Sequence, residues 1–182
     1  MVSNEVKSYS LLVKTLHWLI ALAVFGMLLM GFFLDDIPEQ FQSTAYLMHK
    51  STGLTILWLM ILRFIIVHIT KRPALPSAMH LWEKVLSRVV QYGFYTLLIL
   101  MPLSGWIMST AANRIPSYFG LFNIPFPGIS PDKQLAHFMG ESHEIIAWVI
   151  IAFLTLHIAG ALKHHFINKD NVLKSMWRNT NK

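Results

Sequence analysis

Apolar residues along the chain gather into four long runs, Leu16 to Leu34, Leu47 to Ile69, Val89 to Met108 and Ile145 to Leu162, separated by polar connections. About 20 helical residues, rising 1.5 Å each, cross about 30 Å of hydrocarbon, so each run is long enough to span a bilayer. Extended to their polar flanks, the runs predict helices over about 12–34, 44–69, 81–109 and 139–166. The first run lacks a small-x-small cleavage site before Asp35 and is long for the core of a signal peptide, so it is expected to be retained. The second connection carries Lys71, Arg72, Pro73 and Pro76; the third, from Ser109 to Gly140, holds Pro116, Pro125, Pro127 and Pro131. Proline at that density predicts an ordered or partly ordered surface loop there rather than helix. Nothing repeats and nothing is of low complexity, so residues 1–182 read as one integral membrane domain, an all-α bundle of four transmembrane helices.

Composition narrows the chemistry. With 54% hydrophobic and 13% charged residues and a mean hydropathy of +0.50, the chain is too apolar for a water-soluble domain, and the lipid bilayer is its solvent. The absence of cysteine removes disulfides, zinc–thiolate sites, iron–sulfur clusters and covalently attached haem, leaving His, Met or carboxylate for any metal. A net charge of +6 suggests nucleic acid in a soluble protein, but here the charges fall between the apolar runs and encode topology. If the amino terminus, second connection and tail share one side, that side holds 12 of the 15 basic residues, including Lys7, Lys14, Arg63, Lys71 and Arg72. The other side has Lys50, Arg114 and Lys133 against Asp35, Asp36, Glu39, Asp132, Glu141 and Glu144. Both termini are therefore expected in the cytoplasm.

Nine histidines are many for a membrane protein of this size, and four of them fall inside or at the edge of the runs: His17, His49, His143 and His157. An ionisable group at membrane depth is costly and is a functional candidate by default. His143 and His157 are 14 residues apart, close to four helical turns, so their imidazoles face one way about 21 Å apart along the axis. That implies two stacked sites. With the amino terminus inside, depth pairs His17 with His157 at the cytoplasmic level and His49 with His143 at the outer level. Two imidazoles from different helices at each level are what two bis-His haems need.

Small residues beside these histidines leave room for a porphyrin: Gly53 four after His49, Gly160 three after His157, and Gly140 and Ala147 around His143. Arg63, 14 after His49, shares its helix face at the inner level, where it can pair with a haem propionate. The bland alternative for any one histidine is a hydrogen-bonded helix interface, but four depth-matched histidines make that coincidence hard to sustain. His68, His80, His137, His164 and His165 read as interfacial or solvated, with His137 in the outer loop and His164 the one rival ligand. Trp82, Trp106 and Trp177 suit interfacial belts. The third run, without histidine, can pack but not ligate; Pro102 is expected to kink it, and Gly105 allows close contact.

The segments LHWLI (16–20), MHKSTG (48–53), LMPLSGW (100–106), SHEIIAW (142–148) and LHIAGALKHHFINKDNVL (156–173) resemble the bacterial cytochrome b561 family over nearly the whole chain. The resemblance implies two non-covalent haems b held by His17, His49, His143 and His157, in a bacterial inner (plasma) membrane. Small single-chain members are similar to superoxide oxidase, which implies an oxidoreductase taking electrons from periplasmic superoxide and reducing ubiquinone. Other members are cytochrome b subunits passing electrons between a dehydrogenase or hydrogenase partner and the quinone pool. Either implies one-electron entry at the outer level and quinone reduction after two such events; nucleic acid is not an expected partner. A transporter, the non-redox rival, needs broken helices or a polar pathway, and the sequence shows neither.

Overall fold

The computed structural model describes residues 8–70, 73–74 and 79–177; Lys7, Lys71, Arg72, Pro76, Arg178 and Lys182 lie outside them. Four long helices carry the fold: α1 (Leu11–Phe33), α2 (Glu39–Ile69), α3 (Leu81–Ala111) and α4 (Lys133–Phe166), followed by a short α5 (Val172–Trp177). All four long helices are apolar enough to cross a membrane. Large apolar side chains such as Leu22, Phe33, Leu81 and Ile145 stand exposed on the bundle's outside, which is the lipid-facing surface.

Each boundary has a local cause. Ser10 accepts from the Val13 amide to start α1, and His80 and Glu83 cap α3 reciprocally. At its far end α3 closes with Asn113 in the left-handed region (φ 56°), where the Arg114 amide donates to Ser109 and the Asn113 amide to Thr110. Two expected starts are too late: α2 begins at Glu39 rather than about 44, and α4 at Lys133 rather than about 139. Polar turns cap both beyond the hydrocarbon, behind Pro38 in α2 and behind Asp132 in α4, whose carboxylate accepts from the Gln134 and Leu135 amides. His137 therefore lies on a helix, not in a loop, and residues 133–140 of the third connection are not loop at all. Within that connection, β1 (Ser117–Tyr118) and β2 (Phe122–Asn123) form a small antiparallel hairpin. α3 runs on through Pro102.

Neighbours in sequence are neighbours in space: α1 packs on α2, α2 on α3 and, most closely, α3 on α4, while α4 meets α1 and α2 through side chains such as Phe32 against Trp148. A Cβ at Gly93 would run into the Phe153 ring, which marks how closely α3 and α4 approach. At the bundle's centre Ile20, Val24, Ile56, Met60, Leu98 and Ile150 form a buried cluster drawn from all four helices. The start of the described chain and α5 meet at one end of the bundle, where the Tyr9 amide donates to the Ser175 carbonyl and Trp18 Nε1 donates to the Met176 carbonyl.

Candidate functional site

Where α4 faces α1 and α2, four half-buried imidazoles meet in two pairs. His17 and His157 have ring centroids 6.1 Å apart with 61° between planes; His49 and His143 are 6.3 Å apart at 62°. A direct ring-to-ring hydrogen bond of about 2.9 Å would bring the centroids to about 5.1 Å. Two metal–imidazole bonds of about 2 Å, with about 1.1 Å from each nitrogen to its ring centre, give about 6.3 Å. The spacing is longer than a direct ring-to-ring hydrogen bond and matches the separation that two rings would have with one metal between them. Among the described residues no cluster of three or more His, Cys, Asp or Glu is placed to hold an ion. Two imidazoles alone leave a metal short of donors, and a porphyrin supplies the remaining four nitrogens.

The surroundings suit that group. Nothing lies within 4 Å of a Cβ placed at Gly160, Gly26 or Gly31, and only the Met27 methyl at 3.8 Å lies near Gly53. Gly31, 14 residues after His17, follows the same four-turn spacing and was not singled out from the sequence, although that spacing could have found it. His143 is the most firmly held imidazole. Its Nδ1 is 3.0 Å from the Met101 carbonyl and 3.0 Å from Ser104 Oγ, and Ser104 Oγ itself donates to Met101 at 2.7 Å. With Nδ1–H so engaged, Nε2 is left to coordinate, and hydrogen bonding of this kind raises the ligand's basicity. Gly105 makes the arrangement possible, since a Cβ there would meet His143 Cε1 at 3.0 Å. His49 differs, its buried Nδ1 having no hydrogen-bond partner among the described residues.

Arg63 lies within electrostatic reach of both His17 and His157, at the level the sequence spacing suggests. Its Nη1 donates to the Val13 carbonyl at 2.6 Å, and its side chain also engages Tyr95. Val13 stands one turn before His17, so the guanidinium braces the turn that carries that imidazole. Beside the other pair, Lys50 Nζ donates to the Arg114 backbone carbonyl at 3.0 Å, and Lys50 lies within electrostatic reach of both His49 and Arg114.

The model of the prokaryotic cytochrome b561 family matches residues 8–179. The chain belongs to the prokaryotic cytochrome b561 family. "Cytochrome b561 homolog 2" of Escherichia coli (strain K12) is 31% identical over 177 residues, covering 96% of this chain and 93% of that protein. "Cytochrome b561 homolog 1" of the same organism is 27% identical over 169 residues, 88% of this chain and 92% of the relative. "Probable superoxide oxidase CybB" of Yersinia pestis is 30% identical over 182 residues, covering 93% of this chain and 96% of its own length. This cytochrome b561-family protein is accordingly a membrane electron-transfer protein of the bacterial inner membrane, multi-pass and binding b-type haem.

In this cytochrome the other histidines find different surroundings. His164, expected to be solvated or a rival ligand, is buried, and its Nδ1 bonds the Asp170 carboxylate and lies 3.2 Å from Asn168 Nδ2. Beside it Lys163 pairs with the buried Glu83 and lies 5.6 Å from the Trp82 ring centre. His68 and His137 are on the surface, His68 with Nδ1 on the Phe64 carbonyl and His137 with its ring on Glu141. Trp106, read as a belt residue, turns its Nε1–H to the Ile124 carbonyl instead.

Proposed function

We propose that this protein binds two haems b, one between His17 and His157 and one between His49 and His143, and carries electrons from an outer donor to ubiquinone. The observation that supports this reading is the meeting of two imidazole pairs from different helices, with ring centroids 6.1 and 6.3 Å apart, a separation that one metal between each pair would require. When bound, haem b supplies reversible one-electron chemistry at its iron. The protein supplies position: the Met101 carbonyl and Ser104 orient His143, Gly53 and Gly160 leave room, and Arg63 brings positive charge to the inner level, where a propionate needs it. Two imidazoles at each level would leave no open position on an iron held between them, so these residues suit electron transfer rather than oxygen binding. The excess of Lys and Arg toward the end of the bundle that carries Tyr9 and Ser175 supports a cytoplasmic location for that end, which would make the His49–His143 level the outer one.

Superoxide is the donor we favour, making the protein a superoxide:ubiquinone oxidoreductase. Lys50 sets a cation beside His49, with Arg114 close to Lys50, and such positive charge would draw in an anion; one relative bears the name probable superoxide oxidase. The acidic residues on that same side, Asp35, Asp36, Glu39, Asp132, Glu141 and Glu144, support a second reading, a cytochrome b subunit receiving electrons from a docked dehydrogenase or hydrogenase. Stopped-flow mixing with superoxide separates the two. The favoured reading expects rapid haem reduction and reoxidation by a soluble quinone, with the Lys50→Glu, Arg114→Glu double variant slowed roughly tenfold at low salt. Reduction no faster than with an unrelated membrane cytochrome, together with a co-purifying dehydrogenase, would establish the subunit.

Gly105 gives a sharper test of the outer site. In Gly105→Ala the new methyl meets an imidazole pinned by Met101 and Ser104, so His143 must tilt away from His49. The reduced-minus-oxidised spectrum should then show a broadened, shifted band for one haem only, and Gly105→Val should lose that haem. Unaltered spectra in both variants would remove His143 from the ligand set.

A further inference from the structure

From Ile115 to Pro131 the third connection contains no charged residue, although Arg114 and Asp132 bracket it. A water-exposed loop has no reason to avoid charge over such a length, and this one does not lie above the bundle. Ser51, fully buried, donates from Oγ to the Ser117 carbonyl at 3.1 Å and accepts from the Phe119 amide at 2.9 Å. The Tyr118 hydroxyl reaches Thr55 Oγ1 at 3.0 Å. On the α3 side, Trp106 donates to the Ile124 carbonyl and Thr110 Oγ1 accepts from the Phe126 amide.

These contacts fix the hairpin's depth. Ser51 is about 3 Å and Thr55 about 9 Å further into the bundle than His49, at 1.5 Å per residue. The two histidine levels, about 21 Å apart, fit inside about 30 Å of hydrocarbon with only a few ångströms to spare at each end. The hairpin backbone therefore sits below the hydrocarbon's edge. Irregular backbone survives at such depth only when its polar groups are satisfied by protein, and Ser51, Trp106 and Thr110 satisfy them. The tip is apolar and uncovered: Phe119 is 42%, Leu121 77% and Phe122 57% exposed. Phe119 and Gly120 both take positive φ (48° and 77°), a conformation that bulky residues rarely adopt.

We infer that the β1–β2 hairpin is a membrane wedge whose tip, Phe119, Leu121 and Phe122, lies among lipid acyl chains at the level of His49 and His143. The occupant is lipid because the tip continues the exposed apolar surface of the spanning helices, which includes Trp58 on α2 and Leu100 on α3, and carries no charge for a polar partner.

Because the chain has no cysteine, single-cysteine variants each report one position. Leu121→Cys, Phe122→Cys and Ser130→Cys are purified with haem and placed in phosphatidylcholine nanodiscs, where both membrane faces meet the buffer. Ser130, exposed in the same connection, is the water reference. A charged, membrane-impermeant maleimide should react at 121 and 122 roughly tenfold or more slowly than at 130, with equal rates restored in SDS. A nitroxide at 121 should be relaxed by oxygen far more than by a water-soluble nickel chelate. Equal maleimide rates at the three positions overturn the proposal. So does slow labelling with a nitroxide shielded from both relaxants, because a protein surface, such as a second copy, would then cover the tip.

Discussion

His143→Ala is expected to bring haem content down to about half while leaving a spectroscopically intact second haem. The same result is expected for His49→Ala. Each removes one of the two imidazoles at one level, and the other level is built from different turns, with the apolar cluster around Ile150 standing between them. His143 should be the more severe, since its ring is oriented by α3 through Met101 and Ser104 and nothing else present can take its place. Haem quantitation against protein, followed by redox titration of what remains, checks both the stoichiometry and the identity of the surviving site. Partial recovery of the lost absorbance with added imidazole would show that the cavity itself is intact. Loss of both haems would mean that the levels fold as one unit, and loss of neither would mean that the ligands are misassigned.

Arg63→Leu is expected to lower the potential of the inner haem and leave the outer one unchanged. Removing a positive charge favours the oxidised form, which is the more positive one. For a charge about 10 Å away at an effective dielectric of about 20, Coulomb's law gives about 1.7 kcal/mol. That corresponds to roughly 70 mV, since a tenfold change in a one-electron couple is about 59 mV and about 1.4 kcal/mol. The bond from Nη1 to the Val13 carbonyl raises a second possibility, that Arg63 acts only by bracing the turn before His17. Arg63→Lys separates the two: it keeps the charge but not the guanidinium's several fixed donors, so a purely electrostatic role predicts a near-native inner potential. An unchanged potential in Arg63→Leu, or a shift confined to the outer haem, would show that depth or partner is wrong.

The helices were legible in the sequence because lipid selects for continuous apolar runs, and the meeting of His17 with His157 was legible because four turns put His143 and His157 on one face at two depths and helix direction sets the depth of His17. What escaped depends on groups that lipid does not select. The first turns of α2 and α4, Glu39 to Ser43 and Lys133 to Phe138, are mixed or polar and become helical through Pro38 and the Asp132 cap, which a hydropathy window passes over. Ser104 was unremarkable in a run without histidine. Its role follows from the α3–α4 register that Gly93 and Gly105 permit, and no spacing within one helix encodes that register. The burial of His164 needed Asp170 and Asn168 to fold back past the end of α4, a loop event with no periodic signature. Two-residue strands are likewise too short to leave an alternation pattern.

The buried cluster of Ile20, Val24, Ile56, Met60, Leu98 and Ile150 is more than packing. Across the depth between the two histidine levels, none of residues 18–30, 51–62, 94–103 and 145–156 is charged or a histidine. An electron can tunnel through such a layer, but a proton has no group there on which to rest. On the proposed route, negative charge would therefore cross the dielectric uncompensated, and each turnover would work with or against the membrane's voltage, at up to about 2.3 kcal/mol per charge for every 100 mV. On that route the layer would make turnover generate membrane potential, and the accumulated field would set the point at which it stalls.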